Sequence, residues 1–451
     1  MVEPTVVPRS GHNISRREID PDALKVLYRL REHGFVAYLV GGSVRDLMLG
    51  RRPKDFDIGT SAHPYEIKKL FRNCWIIGRR FRLAHVKFGL KTIEVATFRR
   101  QVNDLPGEEG EPAETPDSPA ADQTNAIADN VSFIHRDNTF GTPEEDAFRR
   151  DFTVNGMFYD IATFSVIDYV GGLQDLEARV IRSIGDPNVR FVEDPVRMLR
   201  AVVMASRLDF SLDAEVVAAI ARHRELIRAA SPARMIEEYY KILRSGAAAK
   251  TFRALDDTGL LALVTPELSG AGESFYDSLR ALDTWRKQHA DIPASLTNAI
   301  LIGALTAPLG LIPTQGKPMP RPAPRPEKPG RRLREPLAER VSIGMLPLAR
   351  RDVDRFRHIT MLVPRMGEQA LSLRQQRSIV HRPSFEETLT WLEIYGNDAD
   401  LVDVWREQQA EHGSTAPSSD APPEGAEGPA SRPRRKRRRR GRGRDRRAPT
   451  S

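Results

Sequence analysis

The chain has little cysteine, few aromatic residues and no long apolar run, and each shortage removes a class of protein. One cysteine, Cys74, stands among 451 residues. That excludes an intrachain disulfide framework and any cysteine-built zinc site, and it fits a reducing compartment. Aromatic residues make up only 7%. The longest uncharged stretch, 292–313, is interrupted by Pro293, Asn298 and Pro308. Its continuous apolar part falls short of the ~20 residues a membrane helix needs, so it reads as a buried helix and a loop. Residues 1–18 hold no apolar segment of signal-peptide length. The expectation is a soluble, cytoplasmic protein with no transmembrane segment. No fixed-period repeat is present.

What is there is ample core and an uneven charge. Hydrophobic residues reach 40% and charged residues 29%, which excludes wholesale disorder. At roughly 150 residues per domain, the length suggests two to four packed units. The net charge is +8, from 69 basic and 61 acidic residues. Residues 432–447 alone carry twelve Lys or Arg and one acid, Asp445. With those set aside, 57 bases face 60 acids, a balance of −3. A mildly acidic body therefore carries a basic tail suited to a polyanion, nucleic acid or anionic membrane. The tail has no aromatic residue, so base stacking is not expected of it.

Periodicity divides the chain. Residues 21–34 suit a helix stopped at Gly34, and 36–40 a buried strand. A Gly41–Gly42 turn follows, with Ser43 placed to cap a short helix ending near Gly50. Strand-like 56–59, a helix from Pro64, and strands near 75–77, 85–88 and 92–98 come next. Two more strands fit 165–170 and 180–183. Residues 104–130 hold eight acids, four prolines and no Lys or Arg, a flexible acidic insertion. From Asp194 the helical period dominates, with helices expected over 216–230, 233–243 and 250–258. A Pro- and Arg-rich linker spans 313–334, helices resume over 335–410, and folding is not expected after about 411. The fold class is α+β. A small mixed β-sheet head (21–185, with its insertion at about 103–130) follows an N-terminal arm (1–20). A helical neck (186–260), a helical body (261–410) and a disordered tail (411–451) come after it.

Chemistry concentrates in residues 39–61, LVGGSVRDLMLGRRPKDFDIGTS. Two glycines between a strand and a helix let backbone N–H groups approach a phosphate, and Arg45 lies one turn beyond; a Gly-Gly pair alone is equally an ordinary tight turn. In Asp55-Phe56-Asp57 the two acids share one strand face, about 7 Å apart at Cα. A bound hard cation such as Mg²⁺ would make that repulsive placement favourable. Glu94 faces away from Ile93 and Val95 and is the natural third carboxylate. Three such acids would hold two Mg²⁺ for in-line displacement at phosphorus. Arg149 and Arg150 suit triphosphate oxygens. Asp194 and Arg197, three apart, fall on one face of a helix, where an acceptor and a donor can read a base edge.

Five segments in this order resemble the nucleotidyltransferases of DNA-polymerase-β type, in the class of bacterial poly(A) polymerases and tRNA CCA-adding enzymes. Besides 39–61 they are RRDFTVN (149–155), DYVGGLQDL (168–176), EDPVRMLRA (193–201) and ARMIEEYYKIL (233–243), all within roughly residues 20–260. The resemblance implies catalysis by Asp55, Asp57, Glu94 and Asp151, with metal on the first three. For Asp151, ribose contact, metal ligation and loop positioning all stay open. It implies nucleotide binding by Gly41, Gly42, Ser43, Arg45, Arg149, Arg150, Asp194 and Arg197. Gly171–Gly172 is a turn or a hinge.

The stretch IIGRRFRLAHVKFG (76–89) resembles bacterial poly(A) polymerases in particular. Arg79, Arg80 and Arg82 there, and Arg434, Arg435, Lys436, Arg437, Arg438, Arg439 and Arg440 in the tail, are expected to contact RNA. The implied reaction is template-independent addition of AMP from ATP to RNA 3′ ends, serving mRNA polyadenylation and turnover. CCA addition to tRNA is the alternative. The implied partners are mRNA and small-RNA 3′ ends, ATP, and RNA-decay or RNA-chaperone proteins, with a monomeric enzyme. An RNA-binding scaffold with a retired head is a third reading, disfavoured because Asp55, Asp57, Glu94 and Asp151 are all present.

Overall fold

The computed structural model describes residues 3–78, 82–100, 139–312, 341–368, 371–396 and 398–412. The acidic insertion, the Pro- and Arg-rich linker and the basic tail lie outside the described residues. Eight strands form one sheet: β1 (Thr5–Val7), β2 (Ala37–Val40), β3 (Ile58–Thr60), β4 (Cys74–Ile77), β5 (Leu83–Phe88), β6 (Lys91–Thr97), β7 (Met157–Asp160) and β8 (Ser165–Asp168). Their order is β1-β8-β7-β2-β3-β6-β5-β4. Only β3 and β6 run parallel; the other pairs are antiparallel. The mixed sheet followed by helices agrees with the class expected from periodicity. The N-terminal arm differs from expectation. Thr5, Val6 and Val7, all three β-branched, pair with β8 as an edge strand.

One sheet face is dry. Phe56, Ile58, Val95, Ile93, Val86 and Cys74 are buried there in the main core. The helix Pro21–Glu32 packs against β2 and β3 from this side. It begins at Asp20, whose Oδ1 accepts the N–H groups of Asp22 at 2.9 Å and Ala23 at 3.3 Å. It presents Ala23, Val26, Leu27 and Leu30 inward.

The other face carries a single transverse row. Paired residues in a sheet point to the same side. The registers align Ile167 with Phe158, Phe158 with Val40, Glu94 with His85, and His85 with Trp75. The Val40 N–H donates to the Asp57 carbonyl at 3.1 Å, and Ile58 pairs with Val95, which sets Asp57 between Val40 and Glu94. Under Ala147 the row is apolar, built on Phe158, Val40 and Phe98. At Asp57 it turns acidic, and at Trp75 it becomes aromatic and open.

The segments 149–155 and 168–176 are packed together. The Asp175 Oδ2 accepts the Thr153 hydroxyl at 2.7 Å. Asp168 accepts the N–H groups of Val170 and Leu173 at 3.0 and 2.9 Å. Gly171, at φ +80°, makes the turn, and a Cβ on Gly172 would stand 2.2 Å from the Thr153 carbonyl oxygen. Gly172→Ala is therefore expected to destabilise the protein by about 2 kcal/mol, as overpacking against backbone does. A urea-denaturation midpoint equal to the wild type would refute this.

Beyond the sheet, β9 (Val180–Ile181) pairs parallel with β10 (Ser211–Leu212) and ties the head to the helices. Helices occupy Val196–Leu208, Ala214–His223, Pro232–Leu243 and Ala248–Asp257, as the period predicts. The uncharged stretch contains the helix Asn298–Thr306, buried from Ala299 to Thr306. Among the described residues no helix is long and apolar enough to cross a membrane. Before the last four helices stands a hairpin, β11 (Ser342–Ile343) with β12 (Leu346–Pro347), which helical periodicity does not reveal. Gly344, at φ +52°, turns it, and the Met345 N–H donates to the Val264 carbonyl at 2.9 Å.

Candidate active site

A cleft of about 340 Å³ opens where the sheet meets the first helices. The head contributes Gly41, Gly42, Asp57, Arg150, Asp151 and Asn155, and the helical part contributes Asp194, Arg197, Arg200 and Arg234. Four arginines and three aspartates thus face one another, a setting for a polyanion with a locally acidic corner.

The acidic corner is the end of the transverse row. Asp55 and Asp57 precede β3, so they do not lie within the strand as expected. The alternation still holds: Phe56 is buried and both acids point out. Solvent reaches Asp57 through the cleft mouth, but protein encloses it on most sides. That enclosure, then Glu94 and Asp55, push its carboxyl up to about 6, against an opposing pull from Arg150. Asp55 is open, at 73% side-chain exposure, with Lys54 Nζ 3.7 Å away. Glu94 leans toward His85, Nε2 to Oε1 3.6 Å. The donors are all carboxylate oxygens, the set a hard divalent cation prefers, and the charge crowding at Asp57 is what such a cation would relieve. Among the described residues, no three His, Cys, Asp or Glu side chains gather closely enough to hold one. The expected convergence of three acids is here a pair with a neighbour.

The GG turn is built for close approach. Gly41 has φ +68°, and a Cβ there would stand 2.9 Å from Arg150 Nη1. Gly41, rather than Ser43, is the N-cap of the helix Gly42–Met48. Ser43 is buried inside it and donates to the Val40 carbonyl at 3.0 Å. Arg45 does not line the cleft. It is buried at 3% exposure, donating to Asn155 Oδ1 at 2.6 Å and to Asp46 Oδ1 at 2.8 and 2.6 Å. Its place in the second turn of the helix turns it under the cleft floor.

Arg149 and Arg150 share the buried Asp146, at 3.0 and 2.9 Å. Burial opposes the Asp146 charge, yet Arg150 and Arg149 outweigh it and hold the carboxyl below the usual range. Arg190 Nη2 donates to the carbonyls of Arg149 at 2.8 Å and Arg150 at 2.6 Å, which fixes the backbone of the pair. Arg150 also lies over the Phe158 ring, 5.4 Å from its centre. It faces the cleft; Arg149 does not line it.

Asp151 is fully engaged. Its Oδ1 accepts the Phe152 N–H at 2.9 Å and Asn155 Nδ2 at 3.1 Å. Its Oδ2 accepts Arg200 Nε at 2.9 Å and Nη2 at 2.5 Å. Burial opposes the charge, but Arg200 and these bonds hold the carboxyl below its usual value. Arg200, Asn155 and Arg234 escaped the sequence reading. Arg200 stands one helical turn after Arg197, a signal that was available in the sequence.

Asp194 and Arg197 do not share a helix face. The helix starts at Val196, and Asp194 is an extended residue between two helices. Pro195 cannot continue a helix donor ladder, which accounts for the break. Asp194 accepts from Arg234 Nη1 at 3.1 Å and Nη2 at 2.7 Å. Arg197 donates to Glu193 at 3.1 Å and to the Arg190 carbonyl at 3.2 Å. Both still border the same cleft. Arg82 is exposed at the foot of β5. Arg79, Arg80 and the seven tail residues lie outside the described residues.

Residues 37–182 match the family described as "Poly A polymerase head domain". Residues 209–271 match the family described as "Probable RNA and SrmB- binding site of polymerase A". The chain is 48% identical over 265 residues to poly(A) polymerase I of Salmonella typhi, covering 59% of this chain and 54% of that protein. It is 47% identical to the poly(A) polymerase I of Escherichia coli O157:H7, over the same shares. It is 36% identical over 251 residues to the CCA-adding enzyme of Lactobacillus helveticus, covering 56% of each. The chain thus spans about half the length of the curated relatives it matches. Its structure is similar to that of the Bacillus stearothermophilus CCA-adding enzyme in complex with CTP, with a TM-score of 0.58 at 25% identity, covering 87% of this chain and 83% of that one. The segment that matches the head-domain family contains the GG turn, Asp55, Asp57, Glu94, Arg149, Arg150, Asp151 and Asn155.

Proposed function

We propose that the protein is a template-independent poly(A) polymerase that adds AMP from ATP to RNA 3′ ends. The RNA 3′ hydroxyl oxygen bonds to the α-phosphorus of ATP, the bond from that phosphorus to the bridging oxygen breaks, and pyrophosphate leaves. The observation that carries the reading is the chain's 48% identity to poly(A) polymerase I over 265 residues, against 36% over 251 residues for a CCA-adding enzyme.

The chain's residues divide the work. Asp55 and Asp57, with Glu94 beside them, are the residues that would hold two Mg²⁺, which would polarise the attacking hydroxyl and offset charge on the phosphate. The Gly41–Gly42 turn lets the triphosphate approach backbone. Arg150 supplies charge-assisted bonds to phosphate oxygens. Asp151 supports the reaction by holding Arg200 and Asn155 at the cleft floor. Asp194 and Arg197, which both line the cleft, suit a base edge that carries both a donor and an acceptor. The basic residues 432–447 give sequence-independent attraction for RNA phosphates. That suits transcripts of many kinds, in mRNA polyadenylation and turnover.

CCA addition is the second reading, favoured by the structural likeness to the Bacillus stearothermophilus enzyme. One assay separates them: the protein with Mg²⁺ and each NTP in turn, on an unstructured RNA and on a tRNA lacking CCA. Long extension of the unstructured RNA with ATP alone is expected. CTP addition confined to the tRNA would overturn the proposal.

A further inference from the structure

Among the described residues, half of the second sheet face is covered and half is not. Over β7, β2 and β8, Ala147 and Phe98 seal it. Over β6, β5 and β4 the row runs on from Asp57 through Glu94 and His85 to Trp75. Trp75 is 51% exposed, an unusual cost for the largest side chain at a sheet edge. Lys87, two residues beyond His85 and so on the same face, holds its ammonium 5.0 Å from the centre of the Trp75 ring. An exposed indole with a cation against it is the pairing that single-stranded nucleic acids use, the ring for a base and the amine for a phosphate.

We propose that this open half-sheet is the track along which the 3′ segment of single-stranded RNA enters, with Trp75 stacking a base upstream of the reacting end. The inference rests on the nucleotidyl-transfer reading above, which puts the RNA 3′ hydroxyl beside Asp57. Continuity with that point sets the distance. Asp57 to Trp75 is three strand steps, from β3 across β6 and β5 to β4, about 14 Å. At about 3.4 Å per stacked nucleotide, the platform meets about the fourth or fifth base from the 3′ end. Charge complementarity sets the chemistry: Lys87 meets the phosphate, while His85 sits between it and the acids. Stacking accepts any base, which suits an enzyme that extends its own product.

The test uses the full chain and a 15-nucleotide oligo(A). The chain has four tryptophans, and Trp285 and Trp405 are buried. Titration of RNA without ATP or Mg²⁺ is expected to quench fluorescence, and Trp75→Phe to lose most of the quench while still binding. Trp75→Ala is expected to raise the KM for RNA about 5- to 100-fold with the KM for ATP unchanged, and Trp75→Phe to restore most of it. Lys87→Gln should flatten the log–log salt dependence by about 0.7. A dinucleotide primer is too short to reach Trp75 and should not distinguish Trp75→Ala from wild type. An unchanged RNA KM in Trp75→Ala, or an equal loss on the dinucleotide, would overturn the track. RNA-dependent quenching at Trp75 in a protein that adds no nucleotide would sustain the track and reject the polymerase reading instead.

Discussion

Asp57→Asn is expected to lower AMP addition by at least about 10³-fold, because the electrostatic stabilisation it organises at phosphorus is worth several kcal/mol. Folding should survive. Asp57 is crowded by Glu94 and Asp55, and its carboxyl is pushed up to about 6. Ionisation of such a group works against the folded state as pH rises past its unfolded value. Removing the charge relieves that crowding, so the melting temperature measured without divalent ions should be no lower than that of the wild type. Asp55→Ala should lose activity in the same direction, and it tests whether the exposed member of the pair is equally needed. Full turnover in either variant, measured by gel extension of a labelled RNA, would remove the pair from the chemistry.

Arg200→Ala should strike stability and nucleotide binding together. Arg200 gives two hydrogen bonds to Asp151 and approaches Glu238 at 3.7 Å, so it joins the head to two helices. Without it Asp151, at 12% side-chain exposure, keeps its charge with only Asn155 and one backbone N–H to serve it. Breaking a buried pair in this way costs about 3–5 kcal/mol. Arg200 itself is 36% exposed, so the lower end, about 3 kcal/mol, is expected. Urea denaturation measures that loss, and the KM for ATP should rise because the cleft floor loses its anchor. Arg200→Lys should recover little, since one ammonium cannot reproduce the two parallel bonds. A denaturation midpoint within error of the wild type would refute the role.

Much of this was readable from residue order, and the misses have physical causes. The alternation in Asp55-Phe56-Asp57 and in Ile93-Glu94-Val95 put the acids on one side correctly, because side-chain period survives even where the ladder starts late. The three-residue spacing of Asp194 and Arg197 misled, because Pro195 lies between them and ends one helix before the next begins. Arg45 looked free from its place after the glycines; only the fold shows Asn155 and Asp46 closing over it. Arg234 lies forty residues from Asp194, and no local period joins them. The short strand Thr5–Val7 was also invisible, since three residues carry too little pattern to be distinguished from a tail.

That strand bears on the order in which the head can assemble. Thr5 pairs with Asp168 and Val7 with Val166, and Leu39 with Tyr159. On a ribosome, the first strand made must wait for the last one in the sheet, and β2 waits almost as long for one of its two neighbours. The meander β4-β5-β6 has no such wait, since its partners follow one another. Contacts of this reach close long loops before they return any energy. The head therefore stays incomplete until Asp168 has emerged, and until then the nascent sheet has unpaired edges for a chaperone to cover.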